Sequence, residues 1–247
     1  MAMPNPLFNI VVVMVAIISG AVAALSGFGI GSLLTPLLAT AVGTKVAVAA
    51  VSLPHFVATS VRLWNLRKHV DRSVLVNFGL LSAAGGLLGA LFQWKSNSPI
   101  VGLLFGCLLL FAGVSGLAGW PDRMHFGRRT AWLGGALSGF FGGFVGNQGG
   151  IRSAALLGFQ LPKESLVATA TAIGVIVDTA RMPVYLVTQG RALLPVGSYI
   201  LLATAGCLIG TFWGVHVLKR IPAQWYKRIL LSLICALGLY MSLNALL

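Results

Sequence analysis

Gly27-Phe28-Gly29-Ile30-Gly31 and Gly146-Asn147-Gln148-Gly149-Gly150 stand 119 residues apart, and each interrupts a stretch of chain that is otherwise apolar. Glycine loses more backbone entropy in a helix than any other residue and adopts positive φ freely, so a cluster of glycines breaks or kinks a helix. The segments that follow, near 29–43 and 149–160, are too short to cross a hydrocarbon core, which takes roughly 20 residues. They are expected as half-helices or as the second arms of hairpins.

Away from the two breaks, long runs lack any charged side chain. No Asp, Glu, Lys or Arg occurs from Met1 to Thr44, Ser73 to Trp94, Ser96 to Pro121, Thr130 to Ile151, Ala192 to Leu218 or Ile229 to Leu247. The whole chain is 57% hydrophobic and 9% charged, where soluble domains carry about 25% charged residues. A cytosolic enzyme, a secreted disulfide scaffold and a disordered chain are excluded on that ground. The other apolar stretches lie near 7–25, 46–64, 74–93, 99–119, 131–145, 165–188, 193–217 and 228–247. The expected fold is an all-α polytopic integral membrane protein of about 8 to 10 transmembrane segments, some of them broken. Ala21-Val22-Ala23 has the small residues of a cleavage site, but no Lys or Arg precedes the run from Leu7. That run therefore reads as an uncleaved first helix.

The net charge of +13 is not a nucleic-acid footprint, because the cations sit in short breaks between apolar runs and form no continuous face. If all ten segments are passages, one side receives Arg67, Lys68, Arg72, Arg123, Arg128, Arg129, Lys163, Lys219, Arg220, Lys227 and Arg228. The other side receives only Lys45, Lys95 and Arg191. The positive-inside rule then puts the first set in the cytoplasm and both termini outside.

Running without a gap from Gly27/Gly146 to Arg62/Arg181, the two parts of the chain match at Gly31/Gly150, Leu37/Leu156, Leu38/Leu157, Val48/Val167 and Ala49/Ala168 as well. Ala84-Gly85 to Gly89 aligns with Ala205-Gly206 to Gly210 after a two-residue shift. Five segments per half make this an inverted-topology repeat, an arrangement that places substrate near the midplane at interrupted helices. The expected organisation is a first membrane repeat over 1–119, a basic cytoplasmic hinge over 120–130 and a second repeat over 131–247.

The chain resembles the sulfite exporter TauE/SafE family, also called the sulfonate uptake permease family. That family carries a G-x-G-G-G turn followed by a proline and an apolar helix, once in each half. Here Gly27 to Gly31 is followed by Pro36, and Gly146 to Gly150 by Ala155 where the proline would stand. The resemblance implies a permease for sulfite, an organosulfonate or a related sulfur oxyanion or carboxylate.

Backbone freed from helical bonding presents N–H groups to an anion, and a half-helix starting there adds its positive dipole end. The expected binding residues are Gly27, Gly29, Gly31, Asn147, Gln148, Gly149, Gly150 and Arg152, with Arg62 and Arg181 supplying positive potential. Arg152 is the sharpest of these. An arginine at the bilayer centre costs at least ~2.5 kcal/mol on insertion scales, and the bland alternative is a side chain snorkelling to the interface. Asp178 and Arg181, three residues apart, form either a structural ion pair or a substrate and proton site. Arg62 repeats Arg181, or else joins Arg67 and Lys68 in the cytoplasmic cluster. His55, after Pro54, is either a proton relay or a hydrogen-bonded packing residue. Gly85/Gly89, Gly135/Gly139/Gly143 and Gly206/Gly210/Gly214 read as close helix packing.

Cys107, Cys207 and Cys235 lack CxxC spacing, and no histidine has metal-ligand spacing, so neither disulfide, metal nor cofactor is expected. Without paired carboxylates or a nucleophile elbow, the chain is not expected to be an enzyme. The expected partners are a small anion, the lipid bilayer of an inner membrane and a coupling proton or cation, and self-association as a homo-oligomer is compatible with the pattern. A passive anion channel and a non-transporting membrane scaffold are the alternatives to a secondary transporter.

Overall fold

The computed structural model describes residues 6–27, 29–120, 128–147, 149–157, 159–214 and 223–246, and among these every regular element is helical. In chain order the helices are α1 (Pro6–Ser26), α2 (Ile30–Val42), α3 (Thr44–Leu66), α4 (Arg72–Lys95), α5 (Ser98–Leu117), α6 (Arg128–Val145), α7 (Gly149–Leu157), α8 (Lys163–Leu193), α9 (Gly197–Ile209) and α10 (Ala223–Leu246). These bounds follow the apolar stretches closely. The departures are α9, which stops at Ile209 and passes into a π-helical turn over Gly210–Gly214 where the apolar stretch reaches 217, and α8, which runs unbroken through Pro183 for 31 residues. At 1.5 Å per residue that is about 46 Å, longer than a hydrocarbon core, so α8 tilts or projects beyond it. Of the expected hinge, residues 121–127 lie outside the described residues.

The two long helices α3 and α8 are equivalent in the repeat, and they pack antiparallel. His55 meets Asp178, Arg62 meets Thr171 two turns farther along, and Ser165 donates to the His69 carbonyl at 2.6 Å beyond the end of α3. The last equivalent pair, α5 and α10, is antiparallel too, since Gly106 lies against Ser242 and Gly113 against Cys235. Antiparallel pairing of equivalent helices is what a pseudo-twofold axis in the membrane plane produces, so this is an inverted repeat.

The same relation holds between α4 with α6 and α9 with α1, which pack parallel. A Cβ on Gly89 would overlap the Phe140 carbonyl oxygen, one on Gly143 that of Gly86, and one on Gly210 that of Ile17. Gly85, Gly139 and Gly206 make similarly close backbone approaches. These small residues let helix backbones touch where lipid supplies no hydrophobic driving force between them. Apolar cores fill the rest: Val12, Leu34, Ala47, Ala50 and Cys207 on one side, Val74, Phe78, Leu156, Ile173 and Val177 on the other. Outward, Leu80, Leu133, Val187 and Leu201 stand exposed. Apolar exposure on that scale is a lipid-facing surface rather than a water-facing one.

The breaks fold α1 with α2 and α6 with α7 into helical hairpins. Gly27 (φ 79°) and Gly146 (φ 77°) both take the left-handed conformation that stops a helix. Their amides bond back to Ala23 O at 2.9 Å and Gly142 O at 3.1 Å. At 13 and 9 residues, α2 and α7 extend only about 20 and 14 Å, so neither crosses a ~30 Å core alone.

Candidate functional site

The tips of the two hairpins meet in the protein interior. A Cβ on Gly31 would overlap the Gly146 carbonyl oxygen, so glycine is required where the first break passes the second. One residue on, the Ser32 hydroxyl donates to Asn147 Oδ1 at 3.2 Å. Gly29, with φ 135°, starts α2 against the Val22 side chain. Gly149 and Gly150 open α7, whereas Gln148 lies outside the described residues.

Three guanidinium groups surround this meeting point. Arg62, Arg152 and Arg181 are 5%, 1% and 1% exposed, against a single buried acid among the described residues, Asp178. Two of the arginines hold equivalent places. Arg62 Nη1 donates to the carbonyl oxygen of Ala23, and Arg181 Nη1 to that of Gly142. Those two carbonyls are repeat equivalents, and they are also the ones that accept from Gly27 and Gly146. Each arginine therefore closes the C-terminal end of the broken helix in its own half, where freed carbonyls and the negative dipole end favour a cation. Arg62 is buried and bonded to Thr171 Oγ1 at 3.1 Å, so it does not join the exposed Arg67 and Lys68.

Arg181 also holds the carboxylate. Its Nε and Nη2 lie 2.9 and 2.8 Å from Asp178 Oδ1, and His55 Nδ1 lies 2.5 Å from Asp178 Oδ2. The ion pair and the hydrogen-bonded histidine both exist, as one buried triad that bridges α3 and α8. Tyr185, one turn beyond Arg181, donates to the Gly143 carbonyl and places its ring 5.8 Å from the guanidinium carbon.

Arg152 differs from the other two. It does not snorkel, because it is 1% exposed and points across to the first half, where Nη2 reaches the Gly27 carbonyl oxygen at 3.4 Å. Its Nε and Nη1 have no hydrogen-bond partner among the described residues. The position of a Cβ on Gly174 would lie 3.1 Å from Nη1 and 3.4 Å from Thr59 Cγ2. The Thr59 hydroxyl, fully buried, has no partner either.

Thr59, Thr171, Gly174, Tyr185 and the carbonyls of Ala23 and Gly142 belong to this constellation and carry no motif of their own. The repeat offset pairs Thr59 with Asp178, Gly174 with His55 and Ala23 with Gly142, and is the one sequence signal that could have pointed to these positions; it does not lead to Thr171 or Tyr185. Gln93 and Gln189 form a further, partly buried contact, Nε2 of Gln189 to Oε1 of Gln93 at 2.8 Å, that periodicity gave no reason to single out.

A family model described as Sulfite exporter TauE/SafE matches residues 12–241. Searches of curated proteins and of solved structures found no match.

Proposed function

Since the chain belongs to the sulfite exporter TauE/SafE family, whose members are membrane transporters of sulfur anions and not enzymes, we propose that it is a secondary permease for sulfite, an organosulfonate or a related small oxyanion or carboxylate, working by alternating access. The observation that carries this reading is Arg152, a fully buried guanidinium with two unmade N–H partners beside the meeting of two helix breaks. Three buried arginines against one carboxylate leave an excess of positive charge when His55 is neutral. Unpaired charge in a low-dielectric interior is costly, and a bound anion relieves it.

In this reading Gly27, Gly29, Gly31, Asn147, Gln148, Gly149 and Gly150 shape the midplane site and Arg152 contacts the anion. Arg62 and Arg181 add positive potential while holding the broken helices closed. Asp178 and His55, within 2.5 Å of each other, are the proton-coupling pair. The basic loops face the cytoplasm of a bacterial-type inner membrane and both termini lie outside, so an inside-negative potential assists anion export.

Counterflow in proteoliposomes tests it. Vesicles preloaded with unlabelled sulfite should transiently accumulate labelled sulfite in the wild type, and Arg152→Ala should abolish this. Flux without counterflow marks a passive channel, and no flux of any anion in well-folded protein removes the transport reading.

A further inference from the structure

The pseudo-twofold axis relates the His55–Asp178 contact to a second place in the molecule that has been emptied of its chemistry. Where the second half carries Asp178, the first carries Thr59; where the first half carries His55, the second carries Gly174. Because α3 and α8 cross antiparallel, Thr59 and Gly174 meet across the axis as Asp178 and His55 do, with the Gly174 Cβ position 3.4 Å from Thr59 Cγ2. One copy thus has an imidazole and a carboxylate. Its mate has no side chain and a neutral hydroxyl.

The cation of that triad is nevertheless kept in both copies. Arg181 follows Asp178 by three residues, and Arg62 follows Thr59 by three. Arg181 finds its carboxylate at 2.8 Å. Arg62 has none, and a second cation, Arg152, reaches into the vacated corner, with Nη1 3.1 Å from the Gly174 Cβ position. Three buried donor atoms there lack partners among the described residues: Nε and Nη1 of Arg152 and Oγ1 of Thr59. The arrangement is one carboxylate short.

We propose that the transported oxyanion takes the place of this missing carboxylate, bound in the corner formed by Thr59, Gly174, Arg152 and Arg62, with Thr59 donating its hydroxyl and Gly174 kept bare to admit the anion beside the guanidinium. This rests on the anion-transporter reading and refines it: the substrate centre is on the α3–α8 crossing, and the glycine breaks shape its approach. A small anionic group without a large neighbouring substituent fits best, since Arg152 Nη1 and Thr59 Cγ2 already lie 3.1 and 3.4 Å from the Gly174 Cβ position.

The test is to supply the carboxylate from the protein. Purified Thr59→Asp should melt at or above the wild-type temperature without anion, because it completes a buried ion pair, and its melting temperature should no longer rise with sulfite. Thr59→Asn, of similar size but uncharged, should keep a sulfite-dependent rise. Thr59→Val, lacking the hydroxyl, should bind sulfite about tenfold more weakly. Chloride at equal ionic strength is the control for screening. If Thr59→Asp responds to sulfite as the wild type does, the placement is wrong although the transporter reading stands. If Thr59→Asp does not fold, an unchanged sulfite affinity in both Thr59→Val and Gly174→Ala overturns it equally. A wild type that itself ignores sulfite and organosulfonates defeats the transporter reading on which the placement rests.

Discussion

Replacing Asp178 with Asn removes one negative charge and nothing else of consequence to shape, and the structure sets the size of the effect. The carboxylate accepts from Arg181 at 2.9 and 2.8 Å and from His55 at 2.5 Å, and it is 0% exposed. Breaking a buried ion pair by neutralising one partner costs about 3–5 kcal/mol, because the other charge stays behind in low dielectric. Asn keeps a carbonyl oxygen for Arg181, which favours the lower end of that range, about 3 kcal/mol. For a chain of this length each kcal/mol moves the melting temperature by about 2–4 °C, so Asp178→Asn should melt roughly 6–12 °C below wild type. The assay is thermal unfolding in detergent followed by tryptophan fluorescence. Asp71→Asn is the comparison: Asp71 caps α4 by accepting from the Val74 amide at 2.9 Å, and Asn caps a helix as well as Asp does. It should melt within about 2 °C of wild type. If Asp178→Asn melts no lower than Asp71→Asn, the triad does not hold α3 to α8 and the reasoning about buried charge fails.

Gly31→Ala should reduce flux severely and destabilise by about 1–3 kcal/mol, because its Cβ would overlap the Gly146 carbonyl and push the hairpin tips apart; transport and melting of the variant check both. Arg62→Lys and Arg181→Lys should both lower stability, since an ammonium cannot serve backbone carbonyl and side chain together as a guanidinium fork does, and Arg181→Lys should be the worse because it also loses the carboxylate contact. Cysteines placed singly at Lys45 and at Lys68, in a background free of native cysteine, should label with a membrane-impermeant maleimide in opposite ways, Lys45 from outside the cell and Lys68 only after the membrane is opened; the reverse pattern would invert the orientation.

The helix bounds and the breaks were legible in sequence because they depend on local properties: a run of apolar residues, an absence of charge, and glycines at Gly27 and Gly146. The repeat was legible for the same reason, through glycines and the Arg62/Arg181 match. What Arg62 and Arg181 do was not. Their acceptors are the backbone oxygens of Ala23 and Gly142, and a carbonyl leaves no trace in residue type. The importance of Thr59 and Gly174 depends on the register at which α3 and α8 cross, which no apolar pattern specifies. For Arg152 the uncharged flanks marked a residue out of place, but its inward direction is set by α7 being only 9 residues long and tucked against α6 and α8. Asp178 with Arg181 followed from their spacing, while the approach of His55 required the antiparallel crossing.

Binding of sulfite to purified wild type and to Arg152→Ala, followed by the rise in melting temperature across a titration, tests the buried guanidinium most directly. Loss of a charged hydrogen-bond donor of this kind is worth about 1.5–3 kcal/mol, so the variant should need roughly 10- to 150-fold more sulfite for half of the effect. Identical titrations for the two proteins, both folded, would contradict an anion site built on Arg152.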